Sequence, residues 1–358
     1  MARKLLGKTG GMILILLGIG LFCYPDISEW FLKQQTMQYI DDFQRKYQEK
    51  SVKKPAEEGI VGETIVEGGE LGDNSVQEEA ALEKNSLYEK ENDPLYQEIL
   101  LYNQEIYNNG QSGFRDAWSY EQAPIVLDGL EDGKFGYMEI PSMDVTLPLY
   151  IGASSSNMSK GAAILGQTSI PIGGQNTNSV IAAHRGWSTG AFLRDIEKVS
   201  IGDMVYIINP WERMAYQVET IDIVYPDDSD AVKIQENRDM ITICTCHPYL
   251  SRGKYRYLLY CVRDEEAEEG SGKVSLSASE QGTDKEHSDN SAQSKGDCII
   301  ASNGVQYETS GSTIQMERFV RRGSAAAIAA ILLMSFLHAK PGRSTVKKKR
   351  ETDKEKDR

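Results

Sequence analysis

Between Lys134 and Arg263 the chain is a succession of short apolar runs separated by Gly, Pro, Asn and Asp. Runs this brief, rich in β-branched residues and tyrosine and bounded by turn formers, read as strands. The pattern predicts strands at Tyr137–Ile140, Val145–Tyr150, Val180–Ala183, Met204–Ile208, Met214–Val224, Met240–Thr245 and Tyr257–Val262. Within Met214–Val224 the apolar positions alternate through Met214, Tyr216 and Val218 and then slip phase to Ile221 and Ile223. A β-bulge produces such a slip. One short helix is predicted at Gly190–Lys198, with turns at Gly173-Gly174 and Asp227-Asp228. Many short strands with sparse helix predict a mainly β domain over residues 134–264, a closed or nearly closed barrel of about eight strands.

Around this domain the patterning changes. Trp30, Phe31, Met37, Ile40 and Phe43 carry helical spacing through a stalk at 26–50. Leu95, Ile99, Leu100, Tyr102, Ile106 and Tyr107 do the same from Pro94 to Asn108, where Asn109-Gly110 stops the helix. That helix belongs to a pre-barrel segment at 91–133. Residues 51–90 are Glu- and Gly-rich and hold too few large apolar residues to order themselves, so they read as an acidic linker. A second polar linker is expected at 265–322. Apolar runs at 9–25 and 323–339 read as membrane segments, a bilayer span requiring about 20 residues. Arg3, Lys4 and Lys8 precede the first, and Lys340, Arg343 and Lys347 to Arg350 follow the second. Basic outer flanks predict cytoplasmic termini at 1–8 and 340–358, with the barrel outside the cell. The first run lacks a small-x-small cleavage site and reads as an uncleaved anchor.

A net charge of −14 argues against a nucleic-acid binder, which needs a basic face to match phosphates. Five cysteines in 358 residues do not make a disulfide framework. Cys23 lies in the first apolar run and Cys298 in the second linker, leaving Cys244, Cys246 and Cys261 in the barrel. The stretch Thr242-Ile243-Cys244-Thr245-Cys246-His247-Pro248-Tyr249 is the most chemically suggestive: a strand delivers a thiol to its end, and Pro248 ends the ladder. Cys244-x-Cys246-His247 has a metal-like look. A structural zinc site, however, takes about four ligands, usually with wider cysteine spacing, and there is no second pair. No metal or cofactor is expected, and Cys244 and Cys261 read as buried inert thiols.

Four histidines are present. His287 falls in the polar linker and His338 at the edge of the second apolar run. His247 neighbours Cys246, but adjacent strand residues point to opposite faces. His184, at the end of an earlier strand, is therefore the expected partner of Cys246. Arg256 opens the strand that follows Cys246, which a connection of about nine residues would return antiparallel beside the thiol; Arg252 and Lys254 compete with it on the same loop. A thiol, an imidazole and a guanidinium together suggest acyl transfer through a thioester, with the guanidinium holding the oxyanion. A hydrolytic cysteine peptidase and a non-catalytic surface protein are the competing readings.

Thr242 to Cys246 resembles the Thr-Leu-x-Thr-Cys signature of sortases, membrane-anchored cysteine transpeptidases of Gram-positive surfaces. Arg256 falls where that family keeps its arginine, and Asn178 to Gly186, which includes His184, resembles its histidine motif. The likeness runs from about Phe135 to Arg263 and takes in Gly136 to Pro141 and Ser169 to Gly174. Tyr24-Pro25 and Ser28 after the first apolar run, the pre-barrel helix and the C-terminal apolar run resemble class C, the pilin-polymerising sortases. That class carries a lid before the barrel with an Asp-Pro-aromatic motif; here the matching stretch is Asp116-Ala117-Trp118, with alanine in place of proline. The likeness implies that Asp116 pairs with Arg256 and Trp118 covers Cys246. It further implies cleavage of a Leu-Pro-x-Thr-Gly-like signal and transfer to an amine, either a pilin lysine or a cell-wall peptide.

Overall fold

The computed structural model describes residues 26–47, 90–112, 133–186, 192–251, 253–270, 298–301 and 304–338, with a few isolated positions besides. Asp116 and Trp118 lie outside them, as do residues 51–89 and most of 9–25. The chain forms two units, Gly20–Ser312 and a second made of Met1–Ile19 with Thr313–Arg358.

In the first unit, eight strands close into a barrel: β1 (Lys134–Ile140), β2 (Val145–Ile151), β3 (Ala162–Ile164), β4 (Thr177–Ala182), β5 (Met204–Ile208), β6 (Arg213–Val224), β7 (Asp239–His247) and β8 (Tyr255–Arg263). Their order around the barrel is β1-β2-β3-β4-β7-β8-β6-β5. Closure is made by β1 on β5, with Tyr137 opposite Ile208 and Glu139 opposite Tyr206. At this seam a Cβ on Gly136 would run into the Ile208 carbonyl, so only glycine permits the approach. Seven strands follow the hydrophobic pattern. The eighth, β3, is three residues long and two of them are alanine, too short and too weakly β-forming to register as a run.

The phase slip in β6 is a bulge. Its register against β8 shifts between Val218 and Thr220, and Glu219 and Thr220 are both exposed in succession. The helix expected at Gly190–Lys198 is instead a turn through 192–195 and a single 3-10 turn at Ile196–Lys198. Phe192, Leu193 and Ile196 point into the core here, but too few residues intervene to propagate an α-helix.

Before the barrel, residues 26–47 form helix α1, and α2 spans Pro94–Asn108. Asp93 caps α2, accepting from the Leu95 amide at 2.9 Å, while Pro94 occupies the first turn where its missing N–H costs nothing. Helix α1 is joined to the barrel by Tyr39, whose hydroxyl donates to the Gly136 carbonyl at 2.8 Å. Buried Asn103 of α2 pairs with Ile170 as a strand would, its amide donating to the Ile170 carbonyl at 2.9 Å and its oxygen accepting from the Ile170 amide at 2.8 Å. Two further short helices are α3 (Ser155–Met158) and α4 (Glu265–Gly270). The stretch expected to be only polar linker contains α4, the first turns of a later helix and a two-stranded sheet of β9 (Cys298–Ile300) and β10 (Gln306–Glu308).

Helix α5 (Gly311–His338) makes up the described part of the second unit from Thr313 onward. Among the described residues no helix is long and apolar enough to cross a membrane. The apolar stretch of α5 is rich in alanine and bounded by Arg321, Arg322 and His338.

Asn103→Ala strands the Ile170 amide in the core, while the Ile170 carbonyl still accepts from the Ile172 amide at 2.9 Å. The expected loss of unfolding free energy is about 1–3 kcal/mol, measured by denaturant titration; a change below about 0.5 kcal/mol would show that α2 is held by apolar contact alone.

Candidate active site

Strand β7 lies between a parallel neighbour and an antiparallel one. Against β8, Cys246 is opposite Arg256 and Cys244 is opposite Leu258. Against β4, Ala182 is opposite Cys244, and His184 follows two residues later. The ends are tied beyond the ladder: the Ala183 amide donates to the Cys244 carbonyl at 3.2 Å, and Thr245 Oγ1 donates to the Ala183 carbonyl at 2.7 Å. Strand alternation sorts these residues by face. Ala182, Cys244 and Leu258 belong to an outer apolar cluster with Tyr150, Met158 and Leu165, whereas Ile181, Ala183, Ile243 and Tyr257 pack into the barrel core. A cleft therefore forms on the outer face, with His184, Cys246 and Arg256 around an apolar floor of Ala153, Met158 and Leu165.

Gly253 shapes this cleft. Its φ is +80°, and a Cβ there would lie 2.6 Å from Arg256 Nη1 and 3.1 Å from Cys246 Sγ. Its lack of a side chain lets the loop between β7 and β8 fold down against both groups. Arg256 Nη1 donates to the Gly253 carbonyl at 2.8 Å and to the Tyr255 carbonyl at 3.3 Å, which orients the guanidinium from behind. Lys254 turns aside, its Nζ 5.2 Å from the centre of the Tyr255 ring; Arg252 lies outside the described residues.

The electrostatics divide the thiols. Cys246 is half-buried. Burial pushes the Cys244 thiol well above its usual range, and the nearby Arg256 charge only partly opposes this. Burial alone pushes Cys261 up. Neither has a thiolate at neutral pH. Burial lowers His184 from its ordinary 6.5, so its imidazole is neutral at pH 7 and ready to accept a proton.

His247 takes no part in the cleft. Its side chain is wholly buried, facing into the barrel mouth beside the ring of Tyr257. Its Nδ1 lies 3.1 Å from Arg185 Nη1 and 3.5 Å from Glu197 Oε1. Arg185 Nη2 is 2.7 Å from the same carboxylate oxygen. Burial acts to raise Glu197, but hydrogen bonding with His247 and the charge and hydrogen bond of Arg185 outweigh it and hold the carboxyl at about 2. The stability contributed by this carboxylate is full above its ordinary 4.5 and is lost as pH falls toward 2.

The structure thus brings together His184, Cys246 and Arg256, three positions singled out by sequence; Cys244 is buried in the floor of the same cleft, while Cys261 and His247 lie on the core side of their strands. Gly253, Arg185 and Glu197 carried weaker signals: a glycine in the loop before Arg256, an arginine following His184, and a lone glutamate in a turn. Nothing local marks Glu197 as a partner of residues 12 positions before it and 50 after.

The family model of the sortase domain matches residues 138–264. Sortase D of Bacillus subtilis is 24% identical over 130 residues, 36% of this chain and 63% of that protein. Sortase A of Bacillus anthracis is 27% identical over 144 residues, 39% of this chain and 67% of that protein. The chain thus spans slightly under two thirds of the first of these relatives. Among solved structures, a pilus-related sortase C of Group B Streptococcus is 28% identical, with a TM-score of 0.41, covering 48% of this chain and 92% of that one. Sortase C1 of pilus island 1 from the same organism is 24% identical, with a TM-score of 0.45, covering 68% and 96%.

Two outcomes follow from the geometry. Brief treatment of the native protein with a thiol reagent should label Cys246 and leave Cys244 and Cys261 unlabelled until denaturant is added, as read by peptide mass spectrometry. Gly253→Ala should cost about 1–3 kcal/mol in backbone strain and at least halve the alkylation rate of Cys246; an unchanged rate would mean the loop does not fix the cleft.

Proposed function

We propose that this chain is a sortase-type, membrane-anchored cysteine transpeptidase acting on proteins that bear a Leu-Pro-x-Thr-Gly-like signal. The observation that carries this reading is the register that sets Cys246 opposite Arg256, with His184 just beyond the neighbouring strand. Cys246 Sγ attacks the threonine carbonyl as its proton passes to His184. The tetrahedral oxyanion is held by the Arg256 guanidinium through its fork of donors. His184 then protonates the departing glycine amine, leaving a threonyl thioester on Cys246. An incoming amine attacks that thioester, gives its proton to His184, and expels Cys246 with formation of a new amide. The apolar floor of Ala153, Met158 and Leu165 suits the leucine and proline of the signal.

The acceptor in this reading is a lysine of the next pilin subunit, and polymerisation of pili is the outcome; anchoring to cell-wall peptides is the alternative. Residues 9–25 and 323–339 hold the barrel at the outer face of the membrane with both termini inside, as the basic flanks favour. By resemblance, Asp116 and Trp118 cover the cleft as a lid.

With purified protein, a signal peptide and an amine, amide product is expected. Cys246→Ala should abolish it, and persistence of product in that variant would sink the reading. Free threonine acid despite abundant amine would mark a hydrolase instead. Arg256→Ala should lower kcat/KM about 10²–10³-fold. Because burial lowers His184, protonation begins to impair the neutral imidazole only below its ordinary 6.5, and the acid limb of kcat/KM should have its midpoint under that pH. The unfolded chain takes up this proton first, so the same group destabilises the fold as pH falls below about 6.5. Trp118→Ala should speed alkylation of Cys246, and an unchanged rate would remove the lid. A pilin lysine outcompeting a wall peptide as acceptor separates polymerisation from anchoring, and surface labelling of barrel residues on intact cells tests the orientation.

A further inference from the structure

We propose that Glu197 is a positioning residue for the thiol–imidazole pair, acting through Arg185 and His247, the residues that directly follow His184 and Cys246. The proposal rests on the reading of Cys246 and His184 as the reacting pair. One carboxylate oxygen, Glu197 Oε1, lies 2.7 Å from Arg185 Nη2 and 3.5 Å from His247 Nδ1. The other, Oε2, accepts from the Ser310 amide at 2.8 Å, and Ser310 Oγ accepts from the Tyr249 amide at 2.9 Å. The turn carrying Glu197 is itself fastened to the site: the Leu193 amide donates to the His184 carbonyl at 3.0 Å, and Arg185 Nε donates to the Arg194 carbonyl at 3.2 Å. A single side chain therefore grips the chain just beyond β4 and the last residue of β7, one residue past each reacting group.

This arrangement acts on the outer face because successive residues of an extended chain alternate. Rotating Arg185 or His247 out of the barrel mouth turns His184 or Cys246 out of the cleft. Arg185 and His247 are about 1% and 0% exposed, so neither has an alternative partner in water. Buried ion pairs are poor sources of net stability compared with apolar packing of equal volume. What such a pair supplies that packing would not is a strong pull between two particular side chains, which holds the segments that carry them close together. An imidazole that must receive a proton from a thiol needs their separation held to a fraction of an ångström.

The test measures the rate at which Cys246 in the full-length protein is alkylated by iodoacetamide, which needs no substrate. Glu197→Gln should slow the reaction by about tenfold or more, toward the rate of His184→Ala, and the double variant should be no slower than His184→Ala alone. In turnover with signal peptide and amine, Glu197→Gln should lower kcat by about 10–100-fold with KM within about twofold. Alkylation of Glu197→Gln at the wild-type rate, or multiplicative losses in the double variant, would overturn the proposal and leave Glu197 a packing residue. Should Glu197→Gln fail to fold, Arg185→Met combined with Glu197→Leu removes both charges together; a wild-type alkylation rate in that protein overturns the proposal equally. Wild-type protein that is alkylated at Cys246 yet forms no amide product would defeat the transpeptidase reading, while the alkylation comparison continues to decide the role of Glu197.

Discussion

The register of β7 between its two neighbours is the constraint on which the rest depends. A parallel ladder with β4 and an antiparallel ladder with β8 meet on one strand, and each is fixed by which residues can enter the core. Ile241, Ile243, Ile181 and Leu259 are all fully buried inside the barrel. A slip of one residue would drive Cys244 and Cys246 into that core and expose the isoleucines, a cost of several kcal/mol across the strand. Apolar packing on the inner face thereby determines which polar groups meet on the outer one.

The barrel mouth and the outer cleft solve opposite electrostatic problems. Inside, Arg185 and His247 are removed from water and lean on the partly buried Glu197, with Tyr257 and Tyr307 closing around the imidazole. Outside, Cys246 remains half-exposed beside a guanidinium that is held by backbone carbonyls. Cys244, two residues away on the same face, is pressed into the apolar floor and its thiol stays protonated. Reactivity here is decided by burial, since the two thiols lie only two residues apart on the same face of one strand.

Segments outside the eight strands are recruited to the same end of the molecule. The chain that returns after the barrel brings Tyr307 onto Tyr255 and His247, and Ser310 onto Glu197 and Tyr249. It thus seals the mouth that the inward charges occupy, while α2 is latched by Asn103 onto Ile170. A stretch whose composition suggests only a spacer includes part of the support for β7.

The sequence by itself determined the barrel class, seven of its strands, the bulge in β6, the limits of α2 and the face that each residue of β7 presents. All of these follow from periodicities of 2 and 3.6 residues and from local stop signals, which need no knowledge of distant partners. It also singled out Cys246, His184 and Arg256 as positions at strand ends. Only the tertiary structure decided that β4 lies parallel beside β7, that three residues at Ala162 form a strand, that Gly253 must fold against the thiol, and that Glu197 joins Arg185 to His247. Those outcomes depend on contacts between segments tens of residues apart. Their energy comes from shared burial, which no single stretch of the chain encodes.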